Sequence, residues 1–96
     1  DVQPAPDAPA VYQLDQNYPN PFNPSTVIGY VIPRTAFVRL VVFDLLGRTV
    51  RTLVSGMQGF GPHSVVFDGA GLASGVYFYR LTAGGFTQTR KLMIIR

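Results

Sequence analysis

His63 is the only histidine in the chain, and it stands on an apolar strand pattern or in the turn that enters it. Base catalysis needs such a group beside a nucleophile. Ser25, Ser55, Ser64 and Ser74 are nucleophiles by residue type only, since none sits in a nucleophile-elbow pattern. His63 therefore reads as structural, no catalytic residue is assigned, and the chain reads as a non-enzyme with no cofactor. Asp15, Asn17, Asn20 and Asn23 offer oxygen ligands at short spacing, the kind of cluster that suits a hard cation such as calcium. Their spacing matches no established calcium loop, and turn formation by Asx side chains is the preferred reading; whether calcium binds between Asp15 and Asn23 stays open, and no metal ligand is assigned. Asp44 and Asp68 end strand patterns at turns, where Asp accepts backbone N–H bonds.

Five Tyr and seven Phe interspersed with Arg have the composition of a stacking platform for sugars or single-stranded nucleic acid. Most of them fall on inward faces of the expected strands, so core is the preferred reading. Phe78 with Arg80 and Phe86 with Arg90 are the exceptions. Arg90 and Lys91, with Arg96, form either a solvated edge that blocks strand-to-strand aggregation or a docking handle.

These residues need a scaffold, and 96 residues allow a single domain. Hydrophobic residues make up 47% and charged residues 14%, with ten Gly and eight Pro, a composition that suits short strands and tight turns. Cysteine is absent, which removes thiolate chemistry and leaves the redox compartment open. No apolar run approaches the ~20 residues that span a bilayer, and the first ten lack the basic start and apolar centre of a signal peptide. The net charge is +3 and seven of the eight basic residues are Arg, which favours carboxylate or anionic surfaces but is modest enough to serve solubility alone.

Residues 1–11, with Pro4, Pro6 and Pro9, read as an extended linker; with no initiator Met, the expectation is an upstream protein from which a domain of residues 12–96 hangs. In Tyr12 to Thr26, Pro19, Pro21 and Pro24 alternate with Asn17, Asn20 and Asn23, predicting an irregular extended lead-in anchored by Leu14, Tyr18 and Phe22. Thr26 to Ile32 predicts a strand with Ile28, Tyr30 and Ile32 on one face. Phe37 to Leu45 predicts a second with Val38, Leu40 and Val42 inward and Arg39, Val41 and Phe43 outward; apolar on nearly both faces, it suits a central position. A turn at Leu46 to Arg48, a weaker strand over Thr49 to Val54, a loop over Ser55 to Pro62 and a strand around His63 to Asp68 follow. Val76 to Leu81 and Phe86 to Ile95, separated by Thr82 to Gly85, predict a hairpin because Gly84 and Gly85 permit the positive φ of a tight turn. Tyr77, Tyr79 and Leu81 face the core there, and the apolar run Leu92 to Ile95 is expected to be buried. Six or seven closely spaced strands with no helical period predict an all-β, antiparallel Ig-like β-sandwich.

Three blocks, QNYPNPFNPST at Gln16 to Thr26, VVFDLLGRTVRTLV at Val41 to Val54 and LASGVYFYRLTAGGFTQTRKLMIIR at Leu72 to Arg96, make the chain resemble the type A C-terminal sorting domain of proteins exported by the type IX secretion system of Bacteroidetes-like bacteria. The resemblance implies a non-catalytic domain placed last in a secreted protein and read as a folded address by the outer-membrane export machinery after passage through the periplasm. It further implies delivery to the cell surface or the extracellular space, with a sortase-like peptidase that removes the domain while the cargo is joined to surface lipopolysaccharide. Gly75, Tyr77 and Arg80 correspond to the family's GVYFYRL-type strand and Lys91 to its final basic-then-apolar strand, so the recognition surface is expected at Gly75, Tyr77, Arg80, Arg90 and Lys91. The chain departs from the family at Phe67, often Trp, and at Gly29, commonly polar or charged. A monomer without nucleic-acid partners is expected. The competing reading is a carbohydrate-binding sandwich of a polysaccharide-degrading enzyme such as a glycoside hydrolase, which predicts a row of exposed Tyr or Phe on one sheet face. A third makes the domain a spacer or a stabiliser of its neighbour.

Overall fold

A computed structural model describes residues 11–95. The expected linker, apart from Val11, and Arg96 lie outside the described residues. Seven strands follow one another: β1 (Gln13–Leu14), β2 (Ser25–Ile32), β3 (Ala36–Phe43), β4 (Thr49–Gln58), β5 (Gly61–Asp68), β6 (Gly75–Ala83) and β7 (Phe86–Ile94). They form two antiparallel sheets of order β1-β2-β5 and β4-β3-β6-β7. In a constant-type immunoglobulin sandwich the fourth strand pairs with the fifth; here β4 pairs with β3 instead, leaving three strands against four. The all-β sandwich expected from the strand spacing is the architecture found.

Period-two alternation sends every second side chain of β2, β3 and β6 into the space between the sheets. Ile28, Tyr30 and Ile32 of β2 and Phe67 of β5 meet Val38, Leu40 and Val42 of β3 and Tyr77, Tyr79 and Leu81 of β6, all buried. Removing this apolar area from water, at about 25 cal/mol per Å², is the main stabilising contribution. β3 is central, as its two apolar faces predict, and its outer residues Val41 and Phe43 are only half-exposed.

The lead-in closes the sandwich. β1 pairs with β2, Tyr18 bridges Val27, and Phe22 then crosses to the other sheet and bridges Ile94 of β7 in parallel. Phe22 donates its N–H to Met93 O at 3.1 Å and accepts from Ile95 N at 3.1 Å. Leu14 and Phe22 are buried as expected, but Tyr18 is 81% exposed. Asn17 takes the inward place beside it: its backbone N–H is bound by the Tyr79 hydroxyl, and its side-chain amide is bound by Thr26 and Pro19 O. The buried amide is retained there because its donors are satisfied by these partners.

Three other expectations change. Ser55 to Pro62 is mostly strand, because Ser55, Gly56, Met57 and Gln58 pair with β3 through their backbones; a ladder needs N–H and C=O groups, which Gly supplies as well as any residue. Leu45 leaves its strand because Asp44 starts a three-residue turn, Leu45 to Gly47, with Gly47 at φ 82°. The run Leu92 to Ile95 is buried only at Leu92 and Ile94; Met93 and Ile95 are 37% and 48% exposed, since a strand shows alternate residues to opposite faces.

The terminal hairpin turns on two residues alone, with Ala83 paired to Phe86 and Gly84 and Gly85 at φ 52° and 87°. Two successive positive φ values make a type I′ turn, whose twist matches that of the strands. The Tyr12 hydroxyl rests on Gly84 where a Cβ would stand, whereas the space beside Gly85 is open. Gly85→Ala is therefore expected to destabilise by about 1–2 kcal/mol through backbone conformation alone, and Gly84→Ala by more. Urea unfolding of the two variants checks the order, and equal midpoints would exclude a steric role for Tyr12.

Candidate functional site

The residues of β3, β4, β6 and β7 include no Asp or Glu, so the four-stranded sheet carries cations without acids. Its register settles how they are shared between faces. On β6, Arg80 lies opposite Val41 of β3 and Thr89 of β7, and Phe78 lies opposite Phe43 and Lys91. Arg80 and Lys91 are therefore neighbours on the outer face, and both are exposed. The Arg80 guanidinium stands 4.7 Å from the centre of the Phe43 ring, its Nε donates to Thr89 Oγ1 at 3.2 Å, and Phe43 stacks on Phe78 at 5.8 Å. Stacking and one hydrogen bond hold the Arg80 side chain while its terminal nitrogens make no hydrogen bond among the described residues, a preorganised arrangement for a carboxylate or phosphate.

The other expected recognition residues lie elsewhere. Arg90 shares the parity of Leu92 and Ile94, and its Nε donates to Leu14 O at 2.6 Å, tying β7 to β1. Gly75 opens β6 opposite Ile94 at φ 148°, a conformation that favours glycine. Tyr77 is buried, and its hydroxyl donates to Ala73 O at 2.8 Å. The structure thus brings Arg80 and Lys91 together and sets Gly75, Tyr77 and Arg90 into the supporting framework. Arg39 is the residue that sequence reasoning left out of the site. Its outward direction was legible, but its place opposite Thr82, diagonal to Arg80, comes from the β3–β6 register.

The remaining chemical candidates are occupied. His63 stacks on Tyr30 at 5.2 Å and donates Nε2–H to Gly59 O at 2.7 Å; among the described residues no hydrogen bond joins it to a serine. Asp15 Oδ1 accepts from Gln13 Nε2 at 2.6 Å, Asn17 binds Pro19 O and Thr26, and Asn20 Oδ1 accepts from Met93 N at 3.0 Å. Those oxygens face separate partners, so Asn17 and Asn20 act as fasteners of the lead-in, and among the described residues no three His, Cys, Asp or Glu side chains are grouped to hold a metal. The exposed rings Tyr18, Phe37 and Phe60 lie on the lead-in, on β3 and in the β4–β5 turn, and so form no row on one sheet face.

Asp44 and Asp68 are turn residues, as their positions predict. Asp68 Oδ1 accepts from Ala70 N at 2.9 Å, while Asp44 Oδ1 accepts from Leu46 N at 2.9 Å and Arg48 N at 3.0 Å and its Oδ2 pairs with Arg48 Nε at 2.8 Å. The Arg48 backbone N–H leads in holding the Asp44 carboxyl below its ordinary value of 3.8, aided by the Arg48 side chain and the Leu46 N–H against some desolvation. A lowered folded pKa stabilises the turn above the ordinary value, and this contribution is lost as pH falls through the folded one. The Leu46 and Arg48 amide resonances are expected to move together in that acid range, and Asp44→Ala to abolish the transition; a transition that persists in the variant would exclude Asp44 as its source.

A family model described as a secretion system C-terminal sorting domain matches residues 16–95. No curated protein and no solved structure matches the chain.

Proposed function

This chain belongs to the family of type IX secretion system C-terminal sorting domains, and from that membership we propose that it is a non-catalytic address recognised only in its folded form. The sorting signal directs export to the cell surface or extracellular space. In this reading residues 1–11 link residues 12–96 to a secreted cargo, a glycoside hydrolase being one candidate, which the domain follows through the periplasm to the outer-membrane machinery. A sortase-like peptidase then cuts in the linker as the cargo is joined to surface lipopolysaccharide. Arg80 and Lys91 contact the machinery directly, while Gly75, Tyr77 and Arg90 hold the strands that present them.

One observation carries the reading that the folded unit is the address. The matched segment begins in the lead-in and ends one residue past β7, and these two ends are joined: Gln16 Nε2 donates to Lys91 O at 2.7 Å, and Phe22 bridges Ile94. A reader of β7 therefore meets the lead-in at the same place. A reporter fused to residues 12–96 and expressed in a host with this export system is expected to reach the medium or the cell surface. Removal of Lys91 to Arg96 takes away half of that junction and is expected to leave the reporter inside the cell; unchanged export would remove the main support for the address.

A further inference from the structure

We propose that the depression between Arg39 and Arg80 on the outer face of the four-stranded sheet clamps a carboxylate from an acidic, partly apolar segment of a partner protein. It has a volume of about 270 Å³ and is lined by Arg39, Val41, Phe43, Thr49, Arg80 and Thr82, among others. This deepens the proposed function and rests on it, because the partner belongs to the export machinery only if the domain is the address.

The charges carry the argument. Arg39 and Arg80 are diagonal cross-strand neighbours, a relation that places their Cβ atoms within about 7–8 Å. No carboxylate lies on β3, β4, β6 or β7 to face them. Asp44, at the end of β3, is already held by Arg48 and by two backbone N–H groups. The Arg39 side chain makes no hydrogen bond among the described residues, and Thr82, opposite Arg39, and Thr49, opposite Phe43, add hydroxyls to the same depression. Two guanidinium groups converging on one space without a counter-ion among the described residues suit a single anion that both can bind through N–H donors.

The surroundings select a carboxylate carried by a protein. The floor is Val41 and Phe43, and Phe37 and Met57, paired across β3 and β4, are 53% and 64% exposed beside it. Aromatic residues, Met and Arg with few acids are the composition of a protein–protein contact centre. A polyphosphate would call for a longer run of cations than Arg39, Arg80 and Lys91 provide.

The test uses the 96-residue chain labelled with ¹⁵N and three probes: a synthetic peptide alternating Asp with Leu, its Asn-for-Asp counterpart, and inorganic phosphate. The Asp peptide is expected to give saturable shifts at the Arg39 and Arg80 Nε–H signals and at the Thr49 and Thr82 amides, and to bind about tenfold or more tightly than the Asn peptide. Arg39→Gln, which breaks no hydrogen bond among the described residues, and the double variant R39Q/R80Q are expected to lose this binding, with the rest of the spectrum showing the fold intact. The proposal is overturned by an absence of saturable shifts, by binding that survives in the double variant, or by phosphate binding as tightly as the Asp peptide. In the export assay, retention of the unaltered fusion would overturn the sorting reading itself. Export of the R39Q/R80Q fusion at the unaltered level would overturn this inference, and with it the direct contact through Arg80, while leaving the sorting reading in place.

Discussion

Phe22→Ala is expected to lower the unfolding free energy by about 3–5 kcal/mol, the largest effect of any single truncation in the lead-in. The ring is buried, meets Phe67 edge-on at 5.7 Å, and lies against Gly69, where a Cβ would sit 3.2 Å from both Phe22 Cε2 and Ile94 Cδ1. Truncation would thus open a cavity bounded by both sheets. The same residue carries the two backbone bonds to β7, so loss of its side-chain anchor also loosens the edge of the final strand. A domain of this size has a net stability of only about 5–15 kcal/mol, so the change removes a large share of it. Urea unfolding followed by tyrosine fluorescence measures the effect, and a loss below about 1 kcal/mol would show that the space collapses around the missing ring. In the export assay the variant is expected to fail although Arg39, Arg80 and Lys91 are untouched, which separates a folded address from a linear one.

Tyr79→Phe is the second large effect, and it removes a single oxygen. The Tyr79 hydroxyl accepts from Asn17 N at 2.8 Å and donates to Asp15 O at 2.6 Å, which pins the lead-in to β6 across the core. Both backbone groups would be left without that partner inside the sandwich, a loss of about 1–3 kcal/mol. Tyr30 makes the useful control: its hydroxyl donates to Gln58 Oε1 at 2.8 Å, a side chain on an edge strand that water can replace, so Tyr30→Phe is expected to cost less. Hydrogen exchange at the Asn17 amide should accelerate in the Tyr79 variant and stay unchanged in the Tyr30 variant.

Alkaline pH probes the same hydroxyl. Burial pushes the Tyr79 phenol above its ordinary value of 10.0, partly offset by the Asn17 N–H and the Arg90 charge. A raised folded pKa means that the unfolded chain releases its proton first, so the stability is fully present below about pH 10 and is lost as pH rises through the folded value. The slope of unfolding free energy against pH in that range is expected to flatten in Tyr79→Phe. Some slope remains, because burial also raises Tyr30. An unchanged slope would mean that Tyr79 titrates alike in both states.

Where the sequence was legible, it was legible through local rules. Alternation placed Ile28, Tyr30, Ile32, Val38, Leu40, Val42, Tyr77, Tyr79 and Leu81 inward, and each is buried. Gly84 and Gly85 announced the hairpin, and Asp44 and Asp68 marked their turns. Tyr18 misled because a large aromatic is a good guess for an anchor, yet polar satisfaction decided the matter in favour of Asn17. The Ser55 to Pro62 segment misled because Gly and Pro punctuate loops in isolation, whereas β3 offered a complete row of backbone partners.

The candidate site divides in the same way. Arg80 and Lys91 could be picked out along the chain, and so could the outward direction of Arg39. Their convergence could not: Arg39 and Arg80 are 41 residues apart, and only the antiparallel register of β3 with β6 makes them neighbours. Likewise Arg90, adjacent to Lys91 in the chain, turns to the opposite face and spends its Nε–H on Leu14 O. The sequence by itself determined most of the strands in outline, the inward faces of β2, β3 and β6, the closing hairpin and, through its three blocks, the family. The tertiary structure alone decided which strands pair, that the lead-in fastens β7, and which cations share a face, because side-chain alternation is a property of each strand while register is chosen by packing between strands.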